Sequence, residues 1–165
     1  LASKLSKINT VKLDTDKLSV SKEAKKRGNG YLNVALFGVD SRDNDLDKGT
    51  RSDTIMIASL NKKTMKVKIA SIYRDTLSEQ EDGTLNKINA AYSYGGPEGA
   101  LSVLNKNLDM NIEHYVTVNF NSMIDIVDSV GGIDIDVQED EMPYICGYVQ
   151  EIMKVTGKLS PGHRL

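Results

Sequence analysis

The chain has 165 residues, 39% of them hydrophobic and 27% charged, with a formal net charge of −2 at neutral pH. That describes a single domain able to bury a core, and it excludes disordered, collagen-like and disulfide-framed classes. No apolar run is long enough to span a bilayer, no stretch has the pattern of a secretory signal, and the lone Cys146 rules out an intrachain disulfide.

The charge is uneven. Residues 1–30 carry eight Lys/Arg against three Asp/Glu, whereas the remainder carries thirteen against twenty. The basic segment reads as a solvated linker with a short strand or helix, or as a juxtamembrane arm near anionic lipid or polymer, which sets a boundary between 1–30 and a folded domain at 31–165. Nucleic acid is excluded as a partner: the folded part is acidic, tryptophan is absent, and no basic patch is interleaved with aromatics.

Asn33–Val39 (NVALFGV) is a buried-type strand that runs into Asp40-Ser41-Arg42, and Asp43–Gly49 reads as a surface loop. Thr54–Leu60 (TIMIASL) is compact and apolar. Asn61-Lys62-Lys63-Thr64 forms a tight polar connection, and Met65–Tyr73 (MKVKIASIY) alternates like a half-buried strand. Asn86–Tyr94 is a predicted helix closed by Gly95-Gly96, and Pro97 opens a second that runs to Leu108. His114–Phe120 alternates as a strand. Asn121 is the expected cap of a helix over Ser122–Val130, with Met123, Ile124, Ile126 and Val127 as its core face. Ile133–Val137 is a predicted short strand and Tyr144–Val155 a predicted helix. The pattern is α/β: a mixed central β-sheet flanked by helices on both faces, an αβα sandwich.

The chemistry concentrates in two arginine-aspartate clusters, Arg51-Ser52-Asp53-Thr54 and Arg74-Asp75-Thr76. If the two strands between them form an antiparallel hairpin, the entrance of the first lies beside the exit of the second. Arg51, Asp53, Arg74 and Asp75 then meet at one sheet edge. Guanidinium forks beside carboxylates suit a phosphate with a divalent cation far better than a core. If Asn33–Val39 runs in the same direction as Met65–Tyr73, Asp40 joins Asp53 as a second carboxylate and Arg42 becomes a third cationic group.

Other motifs carry less. Gly95-Gly96-Pro97-Glu98-Gly99 lacks both the Walker ending and GxGxxG spacing, so it is no nucleotide loop. His114 has no metal-ligand partner in sequence and His163 none either; Asp134 and Asp136 read as solvated, and Cys146 as a half-buried structural thiol. Without a Ser-His-Asp or Cys-His arrangement, a covalent enzyme intermediate is disfavoured.

The succession GVDSR, RSDTIMIASL, SIYRDT, KINAAYSYGGPEGA, HYVTVNF and VDSVGGIDIDV resembles the LytR-CpsA-Psr family of cell-wall glycopolymer transferases, from about Tyr31 to the end. One departure is Tyr73, where the family usually has proline. The resemblance implies a phosphotransferase that moves a glycopolymer, such as teichoic acid or capsular polysaccharide, from a polyprenyl-pyrophosphate carrier to peptidoglycan. It implies a membrane anchor before residue 1, a location at the extracytoplasmic face of the cell membrane, and Mg²⁺ as cofactor. Asp40 and Asp53 resemble the carboxylates that hold Mg²⁺, and Arg51 and Arg74 the arginines that grip the pyrophosphate, with Arg42 as a further contact. Asp75 is the candidate proton acceptor. Leu159–Leu165 resembles the approach to a segment bearing further arginines, expected beyond Leu165. The alternatives are a polyprenyl-pyrophosphate hydrolase and a non-catalytic polyprenyl-phosphate-binding envelope regulator.

Overall fold

The computed structural model describes residues 10–40 and 49–156. Six strands are present among them: β1 (Tyr31–Val39), β2 (Ser52–Asn61), β3 (Val67–Ile72), β4 (Leu77–Glu79), β5 (Leu85–Lys87) and β6 (His114–Val118). The helices are α1 (Lys22–Gly28), α2 (Ala90–Leu108), α3 (Phe120–Ser129) and α4 (Met142–Thr156). The main sheet has the order β3-β2-β1-β6, and β4 and β5 form a separate two-stranded ribbon. β1 pairs antiparallel with β2 and β2 antiparallel with β3, whereas β1 and β6 are parallel. The fold is therefore the mixed α/β class that the pattern predicts.

One face of the sheet is closed. Asn33, Ala35, Phe37 and Val39 of β1 alternate as buried residues, and Ile55 and Ile57 of β2 share their face. Against them α2 lays Tyr92, Ala100, Leu101 and Leu104, with the Tyr92 ring edge-on to Phe37 at 5.2 Å. The opposite face, with Val34, Leu36, Met56 and Ala58, is only half-buried. α3 has no buried residue, so the expected core face is largely open, with Met123 and Ile126 exposed.

The basic N-terminal segment is not a linker where it is described. Leu18 is fully buried in the core, and Leu13 and Val20 pack against it. The buried Asn105 amide explains the anchorage: its Nδ2 donates to the carbonyls of Leu18 and Ile112, and its Oδ1 accepts from the Ile112 amide. α1 is capped by Ser21 Oγ, which accepts from the Ala24 amide and donates to Asp109, where Arg27 is also ion-paired. Lysine abundance misled here because a few apolar residues at Leu13, Leu18 and Val20 suffice to dock a charged segment.

Further expectations shift. β3 is an edge strand exposed along most of its length, with only its end residue Ile72 packed on the core. Asn86 and Lys87 belong to β5 rather than to a helix, which begins at Ala90. The Asp82-Gly83 turn that makes the β4–β5 ribbon is a hairpin signal, with Gly83 at φ +83°. α2 breaks at Gly96 (φ 63°, ψ −156°), where the glycine pair predicts the end of one helix and Pro97 the start of another. The cap of α3 is Asn119, not Asn121: its extended backbone lets Oδ1 accept from the Ser122 amide. Residues 133–137 form no strand, and Cys146 is exposed rather than half-buried. Leu159–Leu165 and His163 lie outside the described residues.

If residues 10–30 belong to the folded body, Leu18→Ala lowers stability by about 2–5 kcal/mol, as for other buried leucines. Urea unfolding checks this; a midpoint unchanged from wild type would return the segment to linker status.

Candidate functional site

Strand direction decides what gathers at each end of the sheet. β1 and β3 run one way and β2 the other. The register pairs Val39 with Ser52 and Ile55 with Ile72, so β1 ends, β2 begins and β3 ends at a common edge. Asp40, Arg51, Asp53, Arg74 and Asp75 all belong to that edge and all are exposed. Arg42 lies outside the described residues.

A single extra residue aims Asp53. Ile57 and Ile55 are buried, and unbroken alternation would send the next odd position, residue 53, into the core. The pairing instead skips it: Gly38 faces Thr54 and Val39 faces Ser52, a β-bulge. Ser52 becomes fully buried and the Asp53 side chain stays about half exposed. Gly38 makes room for this, since a Cβ there would sit 3.0 Å from Thr54 Cβ.

The charged groups then form a chain. Arg74 Nη1 donates to Asp53 Oδ1 at 2.5 Å, and its Nε lies 3.8 Å from Asp75 Oδ2. Lys87 Nζ, on β5, reaches Asp75 Oδ1 at 2.6 Å. Lys87 escapes a sequence reading because the residues after it look helical; the Asp-Gly turn is the signal that places it on a ribbon. Backbone bonds hold the ribbon there: the Ile88 amide donates to Thr76 O and the Asn89 amide to Arg74 O. The Lys87 hydrogen bond holds the Asp75 carboxyl below its ordinary 3.8, and the charges of Lys87, Arg74 and Arg51 act in the same direction. Arg51 thus acts on the same carboxylate as Lys87 and Arg74.

These side chains are roughly half exposed. Ion pairs of that kind contribute little to stability, so the cluster is poorly explained as a structural device. Its chemistry suits phosphate: the Nη2 edge of Arg74 carries no partner among the described residues, leaving donors for an oxyanion. A divalent cation also fits. Among the described residues no three His, Cys, Asp or Glu side chains converge into a cage. Mg²⁺ does not need one, being held by one or two carboxylates together with substrate phosphate oxygens. Asp40 and Asp53 supply hard oxygen donors at this edge; the buried Thr50 Oγ1 and Ser52 Oγ, beside it in sequence, and Asn89 Oδ1, brought there by the Asn89 amide bond to Arg74 O, have no hydrogen-bond partners among the described residues.

The model of the LytR_cpsA_psr family matches residues 1–162. The polyisoprenyl-teichoic acid–peptidoglycan teichoic acid transferase TagU of Bacillus cereus is 42% identical over 105 residues, 63% of this chain and 34% of that protein. The crystal structure of Bacillus subtilis TagV is 35% identical with a TM-score of 0.57, covering 65% of this chain and 43% of that one. The family protein YwtF (TagT), solved with bound octaprenyl pyrophosphate lipid, shares the fold at 24% identity and a TM-score of 0.58, over 92% of this chain and 53% of its own. The chain spans about a third of the length of the curated relatives it matches.

The depressed Asp75 carboxyl has a testable origin. Its interaction with Lys87 is fully present above pH 3.8 and is lost as pH falls through the lowered value. Lys87→Met should raise the Asp75 titration toward 3.8, and Arg51→Met should raise it less, because Arg51 contributes least. Carboxyl-detected NMR measures both, and an unmoved Asp75 in Lys87→Met would break the proposed chain.

Proposed function

The chain belongs to the LytR-CpsA-Psr family, and from that premise we propose that it carries the pyrophosphate-binding half of a glycopolymer–peptidoglycan phosphotransferase. The observation that supports this reading is the meeting of Arg51, Asp53, Arg74 and Asp75 at one sheet edge, with Asp40 beside them. The donor is a polyprenyl-pyrophosphate-linked glycopolymer such as teichoic acid, and the acceptor a peptidoglycan hydroxyl. The protein works at the extracytoplasmic face of the membrane.

Arg51 and Arg74 bind the pyrophosphate oxygens, with Arg42 as a further contact. An acceptor hydroxyl oxygen attacks the phosphorus that bears the polymer, forming the phosphodiester. The bond from that phosphorus to the bridging oxygen breaks, and polyprenyl phosphate leaves with the electron pair. Arginine donors in place before reaction stabilise the charge that builds on the leaving phosphate. Asp75 accepts the hydroxyl proton; Lys87 keeps it ionised, so it needs no prior deprotonation, and a loose phosphoryl transition state asks little of the base. Asp40 and Asp53 would hold Mg²⁺, which when bound supplies charge neutralisation at the phosphates. Arg74 does double duty, orienting Asp53 by their direct hydrogen bond.

The openness of this edge also admits water as nucleophile, which makes pyrophosphate hydrolysis the second reading. Polymer release that depends on added peptidoglycan acceptor favours transfer; release at the same rate without acceptor favours hydrolysis.

In the full-length protein, Arg51→Ala and Arg74→Ala should each lower transfer about a hundred- to a thousandfold, the range for removing one preorganised anion donor, with unfolding midpoints little changed. Radiolabelled polymer transfer measures this, and near-normal rates in both would defeat the assignment. Chelation of divalent cations should abolish transfer and added Mg²⁺ restore it; full activity in chelator would remove Mg²⁺ from the scheme.

A further inference from the structure

The β4–β5 ribbon has three residues in each strand and little apolar support, for Leu77 is 67% exposed and Leu85 68%. A two-stranded ribbon of that length does not hold its place alone. Its place matters, because Lys87 at its base reaches Asp75 Oδ1 at 2.6 Å. The Ile88 amide on Thr76 O ties that base to the arginine edge. A second tie lies at the other end of the ribbon, on the last turn of α2.

Strand pairing decides which backbone groups are left over there. The Gln80 amide donates to Thr84 O across the ribbon, so the alternation of an antiparallel pair turns the Glu79 amide and carbonyl away from β5. The Asn107 side chain meets both: its Oδ1 accepts from the Glu79 amide at 2.9 Å, and its Nδ2 donates to the Glu79 carbonyl at 2.9 Å. The side-chain amide thus stands where a third strand would pair. Its remaining hydrogen goes to Val103 O at 2.8 Å, one turn back in α2, which fixes the rotamer. Lys106 adds Nζ contacts to Glu79 Oε1 at 2.9 Å and to Gln80 O at 3.2 Å. Asparagine is a poor helix former, and at this exposed position many residues would serve α2 better. The ribbon is what Asn107 serves.

We propose that Asn107, assisted by Lys106, is a positioning residue for the arginine edge: it clamps the ribbon to α2 and thereby keeps Lys87 on Asp75. Glu79 is two residues along β4 from the Leu77–Lys87 pair, about 7 Å at 3.3 Å per strand residue. A ribbon released at that distance swings about its base and carries Lys87 with it. The consequence for transfer rests on the proposed reading of the arginine edge; the link from Asn107 to Asp75 does not.

The test compares Asn107→Ala and Asn107→Asp with the unaltered chain. Asn107→Ala loses two hydrogen bonds of ordinary net strength to Glu79, so hydrogen exchange of the Gln80 and Ile88 amides should quicken about tenfold or more, while the β1 amides keep their rates. In carboxyl-detected NMR, Asp75 should titrate closer to 3.8, as in Lys87→Met, although no group that touches Asp75 has been changed. Asn107→Asp keeps the acceptor for the Glu79 amide and loses the donor, so its shift should fall between. An Asp75 titration unmoved in Asn107→Ala overturns the proposal. So does quickened exchange spread evenly over the main sheet, since Asn107 would then support only global stability. In the full-length protein, kcat for transfer should fall severalfold in Asn107→Ala, as in Lys87→Met, with KM for the donor little changed. Normal kcat in Asn107→Ala beside a lowered one in Lys87→Met also overturns the clamp. Normal kcat in both, with the Asp75 shift present, upholds the clamp and removes Asp75 as the proton acceptor.

Discussion

The reversal of strand direction from β1 to β2 to β3, with one bulged residue in β2, is the constraint on which the candidate site rests. Two antiparallel pairings bring three strand ends to one edge, although the residues there are separated by more than thirty positions in the chain. The bulge then settles which residues face inward. Ser52 enters the core and Asp53 turns to meet Arg74. A one-residue change of register would exchange them and bury a carboxylate beside Ile55, which an apolar core does not tolerate.

Around that edge the structure separates support from chemistry. Support is apolar and buried: Phe37 against Tyr92, Leu101 and Leu104 of α2, and the Asn105 amide that binds the N-terminal segment to the start of β6. Chemistry is exposed and ionic. The Lys87–Asp75–Arg74–Asp53 chain has about half its side-chain surface in solvent, so it contributes little to folding and leaves arginine donors accessible. The β4–β5 ribbon links the two levels, for its backbone bonds to Arg74 and Thr76 bring Lys87 to Asp75.

The same sheet presents unlike chemistry at its two ends. Arginines with carboxylates occupy one, suited to bidentate oxyanion binding alongside a cation. Lysines occupy the other, where Lys22, Lys25 and Lys26 of α1 stand beside Lys62 of the β2–β3 turn as point charges. Parallel pairing of β1 with β6 fixes the second end, because it sets His114 and the preceding loop with Asn111 beside the start of β1.

Much of this was legible from local pattern. The three apolar runs of β1, β2 and β6, the glycine break at Gly96 and the arginine-aspartate pairs flanking a hairpin follow from period-two alternation and turn chemistry, which are properties of neighbouring residues. Other features were not. The docking of Leu18 beneath a lysine-rich segment, the Asn119 cap, the β5 strand that carries Lys87, and the loss of a strand at 133–137 depend on partners far away in sequence. The chain alone determined which residues carry charge and which segments extend. Only the tertiary structure decided that Asp53 faces out and that Lys87 holds Asp75, because each is a question of register and contact between distant segments.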